Sequence, residues 1–383
     1  MSTEFTYDAV VVGGGVIGAS CAWHLLDAGV DDVLLLEKDR PASKASGRAA
    51  GHLSTYTSRK FEEPIRRYAI DFHRRLAADH GSIDLHEDVD HVLAHSQRGV
   101  ERLRELHELD PERLSLVSGP DLAEAGSPFN ADEVLAALVH DSAVHTDPYA
   151  LTMALVSEAE DAGATVRLEE VTGLDRAGSG GGFTVTTAAD AYAADVVVNA
   201  AGAWSGTVGS MLDVPLPVKP RTSQIAVLET HEPIEIPMFH CPDLGLYGRQ
   251  ELNGDVLVGG GTSTEIPDPD AFSTRAREAF LREVSERSWR IADALDDARL
   301  VNDWAGRCTA TPDRRPLIGE TAVPGFYVCA GFNGGGVARS PFAGRLIADL
   351  VTGVDTDFAT EPYDPSRFSG TESFGVKSAS TDW

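Results

Sequence analysis

The sequence predicts an α/β protein in two parts: a Rossmann-like dinucleotide-binding domain, discontinuous along the chain, and an α+β domain built on a mixed, largely antiparallel sheet. Three observations predict it. Residues 7–39 read as strand, glycine turn, helix and strand: Val10, Val11 and Val12 precede Gly13, Gly15 and Gly18 at G-x-G-x-x-G spacing, and the apolar run 33–36 ends on Glu37. Two further apolar runs, 194–198 and 326–329, lead directly into small residues, as buried parallel strands do where a ligand lies at their carboxyl ends. Between them, residues 86–94, 224–228, 246–249 and 256–259 carry the strand patterns of a second sheet.

Each residue of the first turn has a task. Gly13 permits the tight turn, Gly15 lets backbone approach a pyrophosphate, and Gly18 lets the helix pack closely on the strand. Val16 and Ile17 open a helix over 16–28 whose N–H groups point at the phosphates, and Gly29 ends it. Glu37 stands about twenty positions beyond the last glycine, where a carboxylate accepts ribose hydroxyls and repels a 2′-phosphate. That argues against NADP. The turn alone does not choose between FAD and NAD.

The segment 41–61 is rich in glycine and alanine and feeds a helix over 65–76. Its small side chains suit a second backbone cradle against a flat ring system, with Ser43, Ser46 and Arg48 as donors. Residues 86–94 then read as a strand, 97–109 as an exposed amphipathic helix and 119–125 as a short helix. A helix over 149–162 ends at Gly163, and a strand over 166–168 leads into a small meander with its hairpin tip at 178–182. The run 199–205, NAAGAWS, returns backbone to the same crevice. Strands dominate from 215 to 300, with a helix over 274–289. The turn 331–336 feeds a helix over 340–352, and a glycine turn at a helix start is an anion site. The expected division is 1–83, 142–212 and 303–364 for the dinucleotide domain, 84–141 and 213–302 for the second domain, and a loose polar tail over 365–383.

Composition narrows the partners. Asp and Glu number 60 against 32 Lys and Arg, a net charge of -28 spread over the whole length. Such a field disfavours nucleic acid and anionic membranes and suits a protein kept soluble in high salt, so a halophilic source and unfolding at low ionic strength are expected. No run approaches a transmembrane helix, the N-terminus has no basic n-region, and the four cysteines show no C-x-x-C spacing, which together predict a cytoplasmic protein without disulfides. His231, His240 and Cys241 lack the further ligand that a metal would need, so no metal site is expected.

Five segments in order, VVVGGGVIGAS with Glu37, SGRAAGH, VVNAAGAWS, WAGRCTATPDRRPLIG and GFYVCAGFNGGGVARSP, resemble the D-amino acid oxidase (DAO) superfamily of FAD-dependent oxidoreductases. That group holds glycine oxidase, sarcosine oxidase, dimethylglycine dehydrogenase and D-arginine dehydrogenase. The resemblance implies FAD and a mixed sheet that roofs the flavin. It implies that Gly13, Gly15, Val16, Ile17, Gly18, Glu37 and Lys38 hold the ADP half. Ser46, Gly47, Arg48, Ala49 and His52 would follow the diphosphate and flavin, with Val171, Ala200, Ala201, Gly202, Trp204 and Arg307 beside them. Gly331, Asn333, Gly334, Gly335, Gly336 and Val337 would approach the isoalloxazine, where N–H groups stabilise charge developing on reduction. An ordinary NAD enzyme needs neither the second cradle nor this last turn. The implied reaction is hydride transfer from the carbon bearing an amine to flavin N5, followed by hydrolysis of the imine.

His52, Tyr247, Arg249 and Arg307 are the expected catalytic residues. In glycine oxidase and D-arginine dehydrogenase an Arg two places after WAG binds the substrate carboxylate; here Cys308 stands there and Arg307 is one place early, which in a strand reverses its face. Arg221, Arg249 and Arg339 are the other candidates. The region around Leu257 has no counterpart of the oxygen-activating lysine of sarcosine oxidase, which favours a dehydrogenase over an efficient oxidase. The His that carries covalent flavin in dimethylglycine dehydrogenase aligns with Arg48, and the Cys that carries it in monomeric sarcosine oxidase aligns nearer Gly306 than Cys308, so non-covalent FAD is expected, with Cys308 the one alternative attachment point. The expected partners are a small amine or amino acid and an acceptor drawn from quinones, electron-transfer proteins or O2, with a homo-oligomer open. Two alternatives keep the flavin: a 2-hydroxy acid dehydrogenase, and a non-catalytic assembly or redox partner.

Overall fold

The computed structural model describes residues 5–53, 62–178, 181–266 and 268–376. Its first sheet runs in the order β15 (Leu317–Glu320), β16 (Phe326–Ala330), β9 (Ala191–Asn199), β1 (Phe5–Val12), β2 (Val33–Leu36), β6 (Thr165–Arg167). All neighbours are parallel except β15 on β16. The expected meander is β7 (Val171–Arg176), β8 (Phe183–Thr187) and the first half of β9, all antiparallel.

Strand alternation explains why this sheet reads as continuous apolar runs. Ala9, Val11, Val33 and Leu35 face the helices α1 (Val16–Asp27), α2 (Glu63–Asp79), α5 (Pro148–Asp161) and α8 (Gly336–Thr352). Val10, Val12, Leu34 and Leu36 face the meander, against Leu174, Phe183, Val185 and Tyr192. Both faces are buried, so neither set is polar.

The second sheet runs β14 (Arg299–Ala310), β10 (Lys219–Glu229), β13 (Val256–Gly260), β12 (Leu246–Gln250), β11 (Met238–Cys241), β3 (His86–Ala94), β5 (Ala136–His145), β4 (Ser115–Ser118). Only β11 on β3 is parallel. Its outer face packs Phe239, Leu246, Val256 and Val258 on Phe280 and Val284 of α7 (Glu278–Arg287). Its inner face, with Ile225, Leu257, Tyr247 and Trp304, covers Ala50 of the small-residue segment. The remaining helices, α3 (Gln97–Leu109), α4 (Gly119–Glu124) and α6 (Ser205–Ser210), lie between strands in sequence.

Several expectations need correction. The whole of β14 pairs with β10, from Lys219 on Ala310 to Glu229 on Arg299, so the second sheet extends to 310 and not to 302; β5 likewise carries it to His145. The helix expected over 274–289 begins at Glu278, because the carboxylate of Asp303 accepts the Ala276 N–H and the side-chain oxygen of Gln224 accepts the Arg277 N–H, which holds that segment extended. The last helix begins at Gly336 and not at 340, running through Pro341; the Val337 carbonyl that loses its partner there accepts the Ser340 hydroxyl instead. The tail is not loose over 365–376. Arg367 pairs with Asp313 at 3.0 Å and donates to the carbonyls of Arg315 and Pro316, while Phe368 packs beside Leu317 and Val328. Residues 54–61 of the small-residue segment and 377–383 of the tail lie outside the described residues.

Candidate active site

The glycines of the first turn are required by contact. Gly13 has φ +113, and a Cβ there would meet the Ala200 carbonyl oxygen at 2.6 Å. A Cβ on Gly18 would lie 1.8 Å from the Gly13 carbonyl oxygen, so helix and strand meet backbone to backbone. Gly15 is extended, and the nearest atom to a Cβ there is the Ser46 hydroxyl at 3.1 Å, itself the acceptor for the Val16 N–H at 2.9 Å. Glu37 is 7% exposed; its carboxylate braces the turn by accepting N–H groups from Gly14 at 2.7 Å and Asp39 at 2.9 Å.

Between the sheets runs a cavity of about 760 Å³. Glu37, Lys38 and Val171 line one end; Gly13, Gly15, Val16, Ile17, Ser46, Arg48 and Ala49 follow, with Ala200, Ala201, Gly202 and Trp204 across from them. Asn333, Gly334, Gly335, Gly336 and Val337 line the other end, beneath His52, His240, Tyr247 and Cys308. Three expected cofactor residues act from outside the lining. Gly18 packs helix on strand, Gly47 would place a Cβ 2.4 Å from the Ala42 carbonyl oxygen, and Gly331 would place one 2.4 Å from the Thr311 methyl.

The last glycine turn is tied to the roof. Asn333 (φ +54) and Gly334 (φ +97) turn the chain toward the N-terminus of α8, and the Asn333 carbonyl accepts from Arg221 at 2.9 Å. Arg221 also donates to the Ser263 hydroxyl at 3.2 Å. This arginine is thereby a clasp between strand β10 and the turn.

Tyr247 needs Gly259 opposite it on β13, since a Cβ there would lie 2.6 Å from the phenol oxygen. Burial first, then the neighbouring Cys308, push the phenol up to about 12. His52 sits at the end of the small-residue segment, its ring 5.6 Å from both Tyr247 and His240. Its Nε2 is buried without a hydrogen-bond partner. Burial, with His240, Arg249 and His145 nearby, holds it well below the usual imidazole range, so it is neutral at pH 7.

Two expected catalytic arginines are corrected by position. Arg249 does not line the cavity: Nε donates to the Ala50 carbonyl, Nη1 to the Gln250 carbonyl, both at 3.0 Å, and Nη2 pairs with Glu251 at 3.2 Å. Its charge holds the small-residue segment to the sheet. Arg307 lines the Lys38 end and not the roof. Strand parity turns Trp304, Gly306 and Cys308 toward the interior, where the Trp304 indole donates to the Arg48 carbonyl at 3.0 Å; Arg307 lies instead 4.6 Å from the Phe272 ring and 5.5 Å from Trp204. Arg339 pairs with Glu62 at 2.9 Å.

Sequence reasoning missed Asp270, which accepts from Lys38 at 2.6 Å and from the Trp204 indole at 3.1 Å, while Lys38 stands 4.0 Å over the Trp204 ring. It also missed Asp90, behind His240. Neither carries a local motif; each reaches the site through long-range packing. Of the residues weighed for a metal, His231 is exposed beside Asp297, Cys241 is buried, and His240 lines the cavity. Among the described residues no group of three His, Cys, Asp or Glu is placed to hold a metal, and no helix is long and apolar enough to cross a membrane.

A diphosphate-bearing flavin cofactor fits these residues. The Gly13–Gly15 turn leaves room only for backbone, and Arg48 Nη1 and Arg307 Nε are buried at the cavity without hydrogen-bond partners. Comparisons with known proteins agree. Residues 8–350 match the DAO family, described as FAD dependent oxidoreductase. Human mitochondrial dimethylglycine dehydrogenase is 28% identical over 94% of this chain, which spans 44% of that protein's length. Glycine oxidase from Geobacillus kaustophilus superimposes with a TM-score of 0.85 at 25% identity, covering 95% of this chain and 100% of the other. L-Proline dehydrogenase from P. horikoshii gives the same TM-score and identity, covering 95% and 98%.

Proposed function

This chain belongs to the DAO family of FAD-dependent oxidoreductases, and from that premise we propose that it oxidises an amino acid or secondary amine at the carbon bearing nitrogen. FAD, when bound, supplies the two-electron acceptor for the hydride that leaves that carbon, and water hydrolyses the resulting imine. Non-covalent binding is part of the proposal: Gly13, Gly15 and the α1 N-terminus take the diphosphate, Glu37 and Lys38 the adenosine end, and residues 334–336 the ring edge.

The observation that carries this reading is the roof. A single cavity joins the cradle to a face whose groups, His52, His240, Tyr247 and Cys308, include no carboxylate that would hold an amine as its cation. His52 and Tyr247 are uncharged at neutral pH and position the substrate by hydrogen bonds. Arg221 lines the cavity above the last glycine turn with its Nε unpartnered, and is the residue best placed to meet a substrate carboxylate. Among the described residues no lysine lines the roof, which supports a dehydrogenase: Lys38 and Lys44 line the adenosine end, and Lys219 pairs with Glu265.

The test is anaerobic bleaching of the bound flavin, in high salt, by a panel of D- and L-amino acids, N-methyl amino acids and 2-hydroxy acids. Bleaching by amines, with slower reoxidation by O2 than by a quinone dye, is expected. Bleaching by hydroxy acids alone, or by nothing on the panel, would contradict the proposal. Acid denaturation should release all the flavin.

A further inference from the structure

Behind the roof stands a buried carboxylate that the reaction above leaves unused. Asp90 is 2% exposed, and its Oδ1 has no hydrogen-bond partner. Its Oδ2 lies 3.5 Å from Nε2 of His240 on the neighbouring strand. His240 lines the cavity, its ring stacked 6.0 Å from Tyr247. A carboxylate at such depth is disfavoured without a cationic partner, and His240 is the ring it faces.

We propose that His240, supported by Asp90, takes the proton from the substrate ammonium; the inference rests on the amine-oxidation reading. The ammonium N–H bond breaks, its electron pair stays on nitrogen as the amine lone pair, and the proton bonds to Nδ1 of His240. Nε2 meanwhile faces Asp90 across 3.5 Å, and the charge of that carboxylate stabilises the imidazolium. No electrons move in this step, and no co-reactant is needed.

The alternative acceptor, His52, is surrounded by the wrong charges. The groups that act on it are His240, Arg249 and His145, with no carboxylate among them, so its cation is disfavoured. His240 faces Asp90 from β3, His52 from the small-residue segment and Tyr247 from β12. Asp90 in turn neighbours Asp88 on its own strand and is in register with His140 across β5. Burial, opposed by His240, raises Asp90 to about 6.

The experiment follows anaerobic flavin reduction of FAD-loaded protein by an amine across pH. Asp90→Asn should move the acid limb of that profile down by about one pH unit. His240→Gln should remove that limb and slow reduction on the order of 100-fold, with His240→Asn as the substitute should Gln fail to retain FAD. An acid limb that stays in place in Asp90→Asn would overturn the inference while leaving amine oxidation standing. Reduction of the wild-type flavin by no amine would overturn both.

Discussion

The floor and the roof of the cavity are built on opposite principles. The floor is backbone: Gly13, Gly15 and the 333–336 turn bring main chain to the cavity, and a Cβ on Gly13 or Gly18 would strike a main-chain carbonyl oxygen. The roof is side chain: Tyr247, His240 and Cys308 come from three different strands, and only strand register puts them on one face. On the proposed function, main chain of this kind suits any dinucleotide of the right length, and the choice of substrate falls to the roof.

The largest expected effect breaks the floor. Gly18→Ala would place a methyl 1.8 Å from the Gly13 carbonyl oxygen, and forced overpacking of this kind costs typically 1–3 kcal/mol or more. Purified protein should retain no FAD by absorbance and should unfold at lower denaturant.

Acid should separate the two regions next. Under the floor, burial lowers His24 to about 3 and His73 to about 4, below the ordinary 6.5. The unfolded chain therefore takes up their protons first as pH falls below 6.5, and stability is lost toward pH 4 by on the order of 3 kcal/mol for each. Asp90 in the roof has the opposite sign. Its folded value of about 6 exceeds the ordinary 3.8, so the folded state gains a proton first and stability rises as pH falls through that window. Urea midpoints between pH 7 and 4.5 should fall for wild type and fall more steeply for Asp90→Asn.

Smaller effects test the assignments. Tyr247→Phe should slow anaerobic reduction by roughly 10- to 100-fold, as loss of one hydrogen bond of about 1.5–3 kcal/mol in the transition state would, with FAD content unchanged. Arg307→Ala should weaken FAD binding by about 10-fold through its contacts with Trp204 and Phe272, and leave the reduction rate alone. Removing salt should lower the thermal midpoint, given the net charge of -28.

Legibility followed the same division. The floor was readable because its determinants are neighbours in sequence: three glycines, a strand before them and Glu37 beyond. Strand parity also exposed Cys308 and the doubt over Arg307. What the sequence could not carry was the destination of long side chains. Arg249 is consumed by two carbonyls and Glu251, and Arg307 turns to Phe272, because charge alone does not say which partner lies within reach. Asp90 and His240 are about 150 positions apart and meet only through the one parallel pair of the second sheet. The tail escaped for a related reason: its polar composition hides one arginine that finds Asp313 and two carbonyls.

The central claim, that the floor holds the cofactor and the roof performs the oxidation, is tested most directly by measuring FAD affinity and single-turnover anaerobic reduction on the same preparations of wild type, Arg307→Ala and Tyr247→Phe. The first variant should lose affinity at an unchanged reduction rate, and the second should lose rate at an unchanged affinity. A Tyr247→Phe protein that releases FAD, or that is reduced by amine as fast as wild type, would contradict it.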